Sequence, residues 1–319
     1  MPQWSISDIP DLQGRVAFVT GANSGLGLET SRILALKGAH VVMACRNPDK
    51  AQKAQADIQA SVPYASTELA TLDLASLASI RACANSFREA HARLDMLFNN
   101  AGVMAIPRKE TQDSFEMQFG TNYLGHFALT GLLLPTLLAT PRSRIVTLTS
   151  LARFAGRVNL NDLNSKQSYS RWGAYGQSKW ADLLFAFELQ RRLTDVGAST
   201  ISVAAHPGYA HTELQNTSAT TSNSAIEVYF YATFGPLVAQ SAQMGALPEL
   251  YAATASNIYG GELVGPGGLF GMRGYPKVEK NSKRGYNRDI AVRLWNESVQ
   301  LTGVDYAGLT SVYKQPFTT

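Results

Sequence analysis

Arg15-Val16-Ala17-Phe18-Val19-Thr20-Gly21-Ala22-Asn23-Ser24-Gly25-Leu26-Gly27 is the stretch on which the reading of the fold turns. Its first six residues form a short apolar run of the kind found in a strand buried on both faces. Three glycines follow with Gly-x-x-x-Gly-x-Gly spacing, and Leu28, Ile33, Leu34 and Leu36 then recur at roughly helical intervals. In a strand–glycine turn–helix unit the turn needs positive φ and the backbone must come close to a pyrophosphate. The helix N-terminus adds N–H donors and a favourable dipole. Gly21, Asn23, Ser24, Gly25, Leu26 and Gly27 are therefore the candidate phosphate contacts. The spacing is not the common Gly-x-Gly-x-x-Gly, and a tight turn without a ligand could use the same glycines. The strand before it and the helix after it favour a cofactor turn.

Outward from that unit, apolar runs alternate with helical patterns. A second strand, His40 to Cys45, ends at Arg46-Asn47-Pro48, where Asn47 and Pro48 read as N-cap and first position of a helix through Lys50 to Ala60. About 20 residues past a glycine turn, an NAD-selective site places an Asp or Glu on the ribose 2′-OH. Here Cys45 stands there with Arg46 next, and a guanidinium suits a 2′-phosphate. A solvent-facing Arg at a strand end would look the same, but with the acid missing NADP(H) is the expected cofactor and NAD(H) the lesser alternative. A third strand around Glu68 to Leu72 leads to Asp73-Leu74 and a helix over Ser76 to Ala90. A fourth, Leu94 to Phe98, ends at Asn99-Asn100-Ala101-Gly102. Asparagine and glycine at the carboxyl end of a parallel strand lie where open α/β sheets bind ligands.

A long helical pattern from Asp113 to Leu138 contains Asn122 and His126, and a fifth strand, Arg144 to Thr149, closes at Ser150. A polar connection over 152–174 precedes Tyr175-Gly176-Gln177-Ser178-Lys179, which opens a helix with Trp180, Leu183, Leu184 and Phe187 on one face. Tyr175 and Lys179, four residues apart, share a helix face. A phenol titrates near ~10 and exchanges protons poorly at neutral pH, whereas a neighbouring ammonium favours its phenolate form. Such pairs also occur by chance in ordinary amphipathic helices, so this one draws its weight from the other motifs. A sixth strand, Thr200 to Ala205, runs into His206-Pro207-Gly208. Residues 209–245 pass from small polar types to Tyr229, Phe230, Tyr231 and Phe234, which suggests a flap over an apolar pocket or else a surface insertion. A helix near Ser241 to Ala255, a short strand near Gly268 to Gly271, a basic stretch over 272–288 with no assigned role and a last helix from Ile290 to Leu301 complete the chain. The expected fold is α/β: one Rossmann-type doubly wound parallel sheet of about seven strands with helices on both faces, in a single domain over 1–319 with a C-terminal extension from 272.

Composition narrows the function classes. At 319 residues, 45% hydrophobic and 16% charged, the chain has the make-up of a soluble globular protein. A net charge of +4 without a basic stripe in the first 270 residues argues against nucleic acid as a partner. Cys45 and Cys83 have no metal spacing and form no disulfide framework, so no metal and a reducing, cytoplasmic compartment are expected. No stretch reaches the ~18 uninterrupted apolar residues of a membrane span, and the N-terminus lacks a signal-peptide pattern.

Taken together, these motifs resemble the short-chain dehydrogenase/reductase family, in the branch with a Thr-Gly-x-x-x-Gly-x-Gly turn, over Gly14 to about Gly271. Thr20 through Gly27 is similar to the family's cofactor turn, Asp73 and Leu74 to its adenine-side contacts, and Asn99, Ala101 and Gly102 to its Asn-Asn-Ala-Gly segment. Asn122, Ser150, Tyr175 and Lys179 stand where the family has its catalytic four. Pro207, Gly208 and Thr212 match the Pro-Gly-x-x-x-Thr that meets the nicotinamide. Thr121-Asn122-Tyr123-Leu124-Gly125-His126-Phe127, the Ala44-Cys45-Arg46 strand end and the long Ser150–Tyr175 gap resemble the retinol dehydrogenase subgroup, mostly NADP(H)-preferring. Membrane-bound members of that subgroup carry an N-terminal anchor, and none is expected in this sequence.

The resemblance implies reversible hydride transfer between NADP(H) and a carbonyl/alcohol pair. Ser150 would hold the substrate oxygen and Tyr175 would exchange the proton. Lys179 would hold the nicotinamide ribose and favour the phenolate, and Asn122 would hold a water that links Lys179 to solvent. The family also implies dimers or tetramers through the helices carrying Asn122 and Tyr175, unless the longer tail covers them. Three other readings compete. A sugar-nucleotide epimerase would carry Gly-x-x-Gly-x-x-Gly and a larger C-terminal domain. A protochlorophyllide-reductase-like enzyme would carry a cysteine near its pigment, and no cysteine follows Cys83 here. A non-catalytic NADP(H) sensor would tend to lose one of the four polar residues, and all four are present.

Overall fold

The computed structural model describes residues 3–209, 240–280 and 286–309. Its central strand, β1 (Val16–Thr20), is buried along its whole length, and its side chains alternate between two cores as the pleat requires. Val16 and Phe18 join the core under α3 (Leu77–Ala90), α4 (Gly125–Ala139), α5 (Arg171–Asp195) and α7 (Arg288–Thr302). Ala17 and Val19 join the opposite core, under α1 (Gly25–Leu36), α2 (Pro48–Ser61) and α6 (Ala242–Thr254). A strand buried on both faces shows no polar alternation, which is why residues 16–20 read as a continuous apolar run.

The other strands are β2 (His40–Cys45), β3 (Ser66–Thr71), β4 (Met96–Asn99), β5 (Arg144–Leu148), β6 (Ile201–Ala205), β7 (Leu263–Pro266) and β8 (Pro276–Val278). They form one sheet in the order β3-β2-β1-β4-β5-β6-β7-β8. Strands β1 to β7 are parallel, and β8 pairs antiparallel with β7 at the edge. Strand order reverses between β1 and β4, so a crevice opens at their carboxyl ends. Thr20 ties that crevice together: its Oγ1 accepts from the amides of Asn100 (2.9 Å) and Ala101 (3.0 Å), while Asn100 Nδ2 donates to Thr20 O (2.8 Å).

Four sequence expectations shift. The last parallel strand is Leu263–Pro266. Residues 269–271 are instead a 3-10 turn with Phe270 and Gly271 at φ of +51° and +68°, a conformation no strand holds. The basic stretch after 272 contains the antiparallel edge strand, an eighth that periodicity over three residues cannot reveal. The helix expected from Asp113 begins only at Phe119, as a π-helical turn (Phe119–Leu124) that runs into α4. Upstream, Ser114 takes a φ of +63°, and the buried Glu116 carboxylate accepts from the amides of Gln118 and Phe119 (3.0 and 2.7 Å), so it starts the helix. Helix α5 starts at Arg171 with Ser170 as its cap, which puts Tyr175 in the second turn.

The C-terminal helix α7 covers the outer side of α4 and α5. Trp295, Tyr306, Phe127 and Phe185 form an aromatic cluster with centroid distances of 4.5–6.5 Å. Tyr306 Oη donates to Phe127 O (2.6 Å), which satisfies the one polar atom this ring brings into the core. The expected flap over 209–245 falls mostly outside the described residues, as does Thr212. The chain leaves at Tyr209 and returns at Gln240, whose amide donates to Tyr209 O (2.9 Å). Among the described residues, no helix is long and apolar enough to cross a membrane.

Candidate active site

A cavity of about 240 Å³ lies at the carboxyl ends of β1, β4, β5 and β6. One end is the glycine turn: Gly21, Asn23, Ser24, Gly25, Leu26 and Gly27 all line it. Gly21 and Gly25 hold φ of +68° and +53°, left-handed conformations that glycine adopts without strain. Gly27 serves differently. A Cβ there would overlap the Gly21 carbonyl and the Asn100 amide, so only glycine lets α1 start this close to the turn. The Asn47, Ser76, Ser170, Ser241 and Asn287 side chains each accept from an amide of the helix they cap, but Ser24 makes no such bond to α1. The first-turn amides of α1 thus face the cavity without a side-chain acceptor, the arrangement that receives a phosphate. The residues fit a dinucleotide.

At the other end stand Leu148, Thr149, Ser150, Tyr175, Lys179 and Pro207. Ser150 follows β5 and caps a short 3-10 helix, Leu151–Ala155, with Oγ accepting from Ala152 N (3.1 Å). That turn lies against α5 at Gly176, where a Cβ would come within 2.6 Å of Gly156 N and 2.8 Å of Ala152 O. The missing side chain at Gly176 is what brings the Ser150 turn up to the Tyr175 helix. Thr149 Oγ1 donates to Lys179 O (2.6 Å) and fixes the same junction.

Lys179 is buried, and its Nζ donates to Leu148 O and to Asp182 Oδ2, both at 2.9 Å. Burial works against its charge, but the Asp182 carboxylate and the Tyr175 phenol raise it above the ordinary lysine range. The same burial pushes Asp182 up to about 6, against the pull of Lys179. His126, fully buried, is pushed down to about 3 by desolvation and stays neutral. Its Nδ1 donates to Asn122 O (2.7 Å), which leaves Nε2 to accept from Thr20 Oγ1 (3.0 Å); this tautomer is assigned from its partners.

Several expected site residues do not line the cavity. Asn122 is buried beneath it: Oδ1 accepts from Val103 N (2.7 Å), and Nδ2 donates to Val103 O and Ser178 Oγ (both 2.9 Å). It is a strut between the β4 loop and α5. Asn99 points the other way, into the layer behind the sheet, where Nδ2 donates to Thr130 Oγ1 (2.9 Å). Its neighbour Asn100 is the one that reaches the cavity. Asp73 accepts from Ala75 N (3.0 Å) and turns the chain into α3, and Leu74 is a core residue packed on α4. Arg46 stands exposed just past the end of β2, and Gly208 donates its amide to His206 Nδ1 (3.2 Å). Ala101 and Gly102 do line the cavity, with Asn100 and Val103.

One network beside the site joins residues that lie far apart in the sequence. His206 Nε2 donates to Glu279 Oε1 (2.5 Å), and Arg153 donates to Glu279 Oε2 (3.2 Å) and to Ser150 O (3.2 Å). Burial outweighs the pull of Glu279 and lowers His206 below the ordinary histidine range. Burial also opposes the Glu279 charge, but His206 and Arg153 hold that carboxylate below its usual range. The strand-end histidine, the Ser150 turn and the β8 edge are thereby locked together. Nothing in the spacing of residues 153, 206 and 279 could have signalled it.

A dinucleotide cradle at a doubly wound switch point, with Ser150, Tyr175 and Lys179 at its far end, defines a class. The chain belongs to the short-chain dehydrogenase/reductase family of oxidoreductases, whose model, described as short chain dehydrogenase, matches residues 15–223. Its relatives put it in the retinol-dehydrogenase-like subgroup. It is 41% identical to retinol dehydrogenase 13 of Mus musculus over 297 residues, covering 93% of this chain and 86% of that protein. It is 40% identical to polyprenol dehydrogenase of Mus musculus, covering 92% and 86%. Among solved structures, an uncharacterized protein from Mycobacterium paratuberculosis superposes with a TM-score of 0.78 at 41% identity, over 96% of this chain and 99% of that one.

Proposed function

We propose that this protein carries out reversible hydride transfer between NADP(H) and the carbonyl and alcohol forms of a bulky apolar substrate. The observation that carries the reading is that Tyr175 and Lys179 line the same cavity as the Gly21–Gly27 turn. A nicotinamide cofactor held by the Gly21–Gly27 turn would supply or accept the hydride. Ser150 Oγ donates to the substrate oxygen and fixes its position. Tyr175 Oη donates a proton to that oxygen on reduction and takes it back on oxidation. Lys179, positively charged and buried in the next turn of the same helix, would offer a donor to the nicotinamide ribose. Asn122 holds Val103 and Ser178 in register, and so holds the two walls of the cavity at a set distance.

Arg46 supports the choice of NADP(H). It follows β2 directly, no acid stands at 45 or 46, and a guanidinium there would pair with a 2′-phosphate. The names of the relatives support a long apolar alcohol. Cys45 and Cys83 are free, and burial pushes both up to about 11, inert thiols that suit a reducing compartment such as the cytoplasm. The α4–α5 face available for self-association carries α7, which favours a monomer or a contact through another face.

The test is a fluorescence titration with NADPH and NADH, followed by assays on a panel of ketones and aldehydes. We expect NADPH preference, and Arg46→Ala should weaken NADPH about 10- to 100-fold, the scale of one charge-assisted bond, with little effect on NADH. Tyr175→Phe should lower kcat about 100- to 10,000-fold and leave NADPH affinity nearly unchanged. Equal turnover in Tyr175→Phe would sink the assignment. Tight NADPH binding with no turnover across the panel would favour the sensor reading.

A further inference from the structure

The far end of the sheet, away from the cavity, holds a cluster that hydride transfer does not use. His40 opens β2, Glu68 lies on β3, and His91 follows α3. The strand register pairs His40 with Ser66, so Glu68, two residues on, projects from the same face toward α3. Glu68 Oε2 accepts from His40 Nε2 (3.2 Å) and from His91 Nε2 (2.9 Å). Among the described residues this is one group in which three ligand-type atoms lie within 4.8 Å of one another.

We propose that His40, Glu68 and His91 form a binding site for a divalent transition-metal ion of the Zn²⁺ class, with three protein ligands and a fourth position open to solvent. Zinc holds imidazole nitrogen and carboxylate oxygen at about 2.0–2.2 Å in tetrahedral geometry, which sets neighbouring ligand atoms roughly 3.3 Å apart. The two pairs measured here, at 3.2 and 2.9 Å, already stand near that separation, so an ion could replace the bridging protons with little rearrangement.

The surroundings orient two of the ligands. Ser66 Oγ lies 2.8 Å from His40 Nδ1, which leaves Nε2 as the ligating nitrogen. The Phe87 ring stacks on His91 at 4.7 Å and 25°, which fixes the plane of that imidazole. Two imidazoles and one carboxylate suit zinc, nickel or copper rather than the all-oxygen shells of magnesium or calcium. The Glu68 and His91 side chains are 42% and 15% exposed, so the site is reachable yet its inner wall is formed. Because it lies at the amino ends of β2 and β3, an ion here would clasp two strands to the end of α3 and take no part in the chemistry. Residues 28 and 23 positions apart leave no short motif, and the cluster exists only because β2, β3 and α3 meet.

The test uses the full-length protein after chelator treatment and dialysis, titrated calorimetrically with ZnCl₂ alone in a weakly competing buffer. One Zn²⁺ per chain with micromolar or tighter affinity is expected. His91→Ala and Glu68→Gln should each weaken it at least 10-fold, and Ser66→Ala roughly 10-fold through loss of the outer-shell partner. Cobalt should give the visible absorption of a low-symmetry N/O site, lost in His40→Gln. Far-UV circular dichroism and NADPH affinity of every variant should match the parent, which separates loss of a ligand from loss of the fold. Absence of Zn²⁺ binding by the parent protein would overturn the proposal. So would stoichiometric binding that persists unchanged in His91→Ala and Glu68→Gln.

Discussion

Lys179 keeps its charge in a place that opposes it. It is only 5% exposed, and its partners are one backbone carbonyl and the carboxylate of Asp182, three residues on in the same helix. The pairing i, i+3 was available to inspection of the chain, but the burial that gives it weight was not. Asn99 and Asn100 teach the reverse. Consecutive residues at a strand end point to opposite faces, so only one of the two could reach the cavity, and only packing decided that it was Asn100. Gly27 carries the sharpest residue-scale expectation. A Cβ there must displace the Gly21 carbonyl or the Asn100 amide, a crowding of about 1–3 kcal/mol. Gly27→Ala should therefore weaken NADPH binding about 10- to 100-fold in an equilibrium titration. Undiminished affinity would show that the turn does not receive the phosphates.

Among the elements, α6 against α1 hides an unusual group. Glu249 is buried, is hydrogen-bonded to the hydroxyl of Thr30, and among the described residues has no partner for Oε2. Burial pushes it up to about 8, against an ordinary value near 4.5. Between those two values the folded chain holds a proton that the unfolded chain has lost, so stability falls as pH rises across that window. Its cost is on the order of a few kcal/mol above the upper value. Glu249→Gln keeps the shape without the ionisation. Its melting temperature should exceed that of the parent by several degrees at pH 8, and by much less at pH 5. An equal difference at both pH values would show that ionisation is not the cause. The element boundaries that sequence missed have similar origins. The start at Phe119 depends on a carboxylate from Glu116 turning back on the backbone, and the start of α5 on the hydroxyl of Ser170.

For the whole molecule, the cavity joins both halves of the sheet, because its walls come from β1 and β4 on one side and from β5, β6 and α5 on the other. A ligand that binds there only when the chain is folded stabilises the entire fold, by about 2.7 kcal/mol at 100 times its Kd. NADPH at that excess should raise the melting temperature by several degrees, NADH by less, and Gly27→Ala should cut the NADPH rise to about half or less. An NADPH shift no larger than that from NADH would remove the case for Arg46. The His206–Glu279–Arg153 network belongs to this scale as well, since it fastens the antiparallel edge to the Ser150 turn across 126 residues of chain.

The parallel α/β order, the glycine turn and the pairing of Tyr175 with Lys179 were legible in the chain alone. All are local: strand burial leaves apolar runs, φ preference leaves glycines, and helix pitch sets residues four apart on one face. The inward turn of Asn100, the strut role of Asn122, the eighth strand and the meeting of His40, Glu68 and His91 belong to packing. Each joins segments that lie far apart along the chain, and neither propensity nor spacing records such contacts.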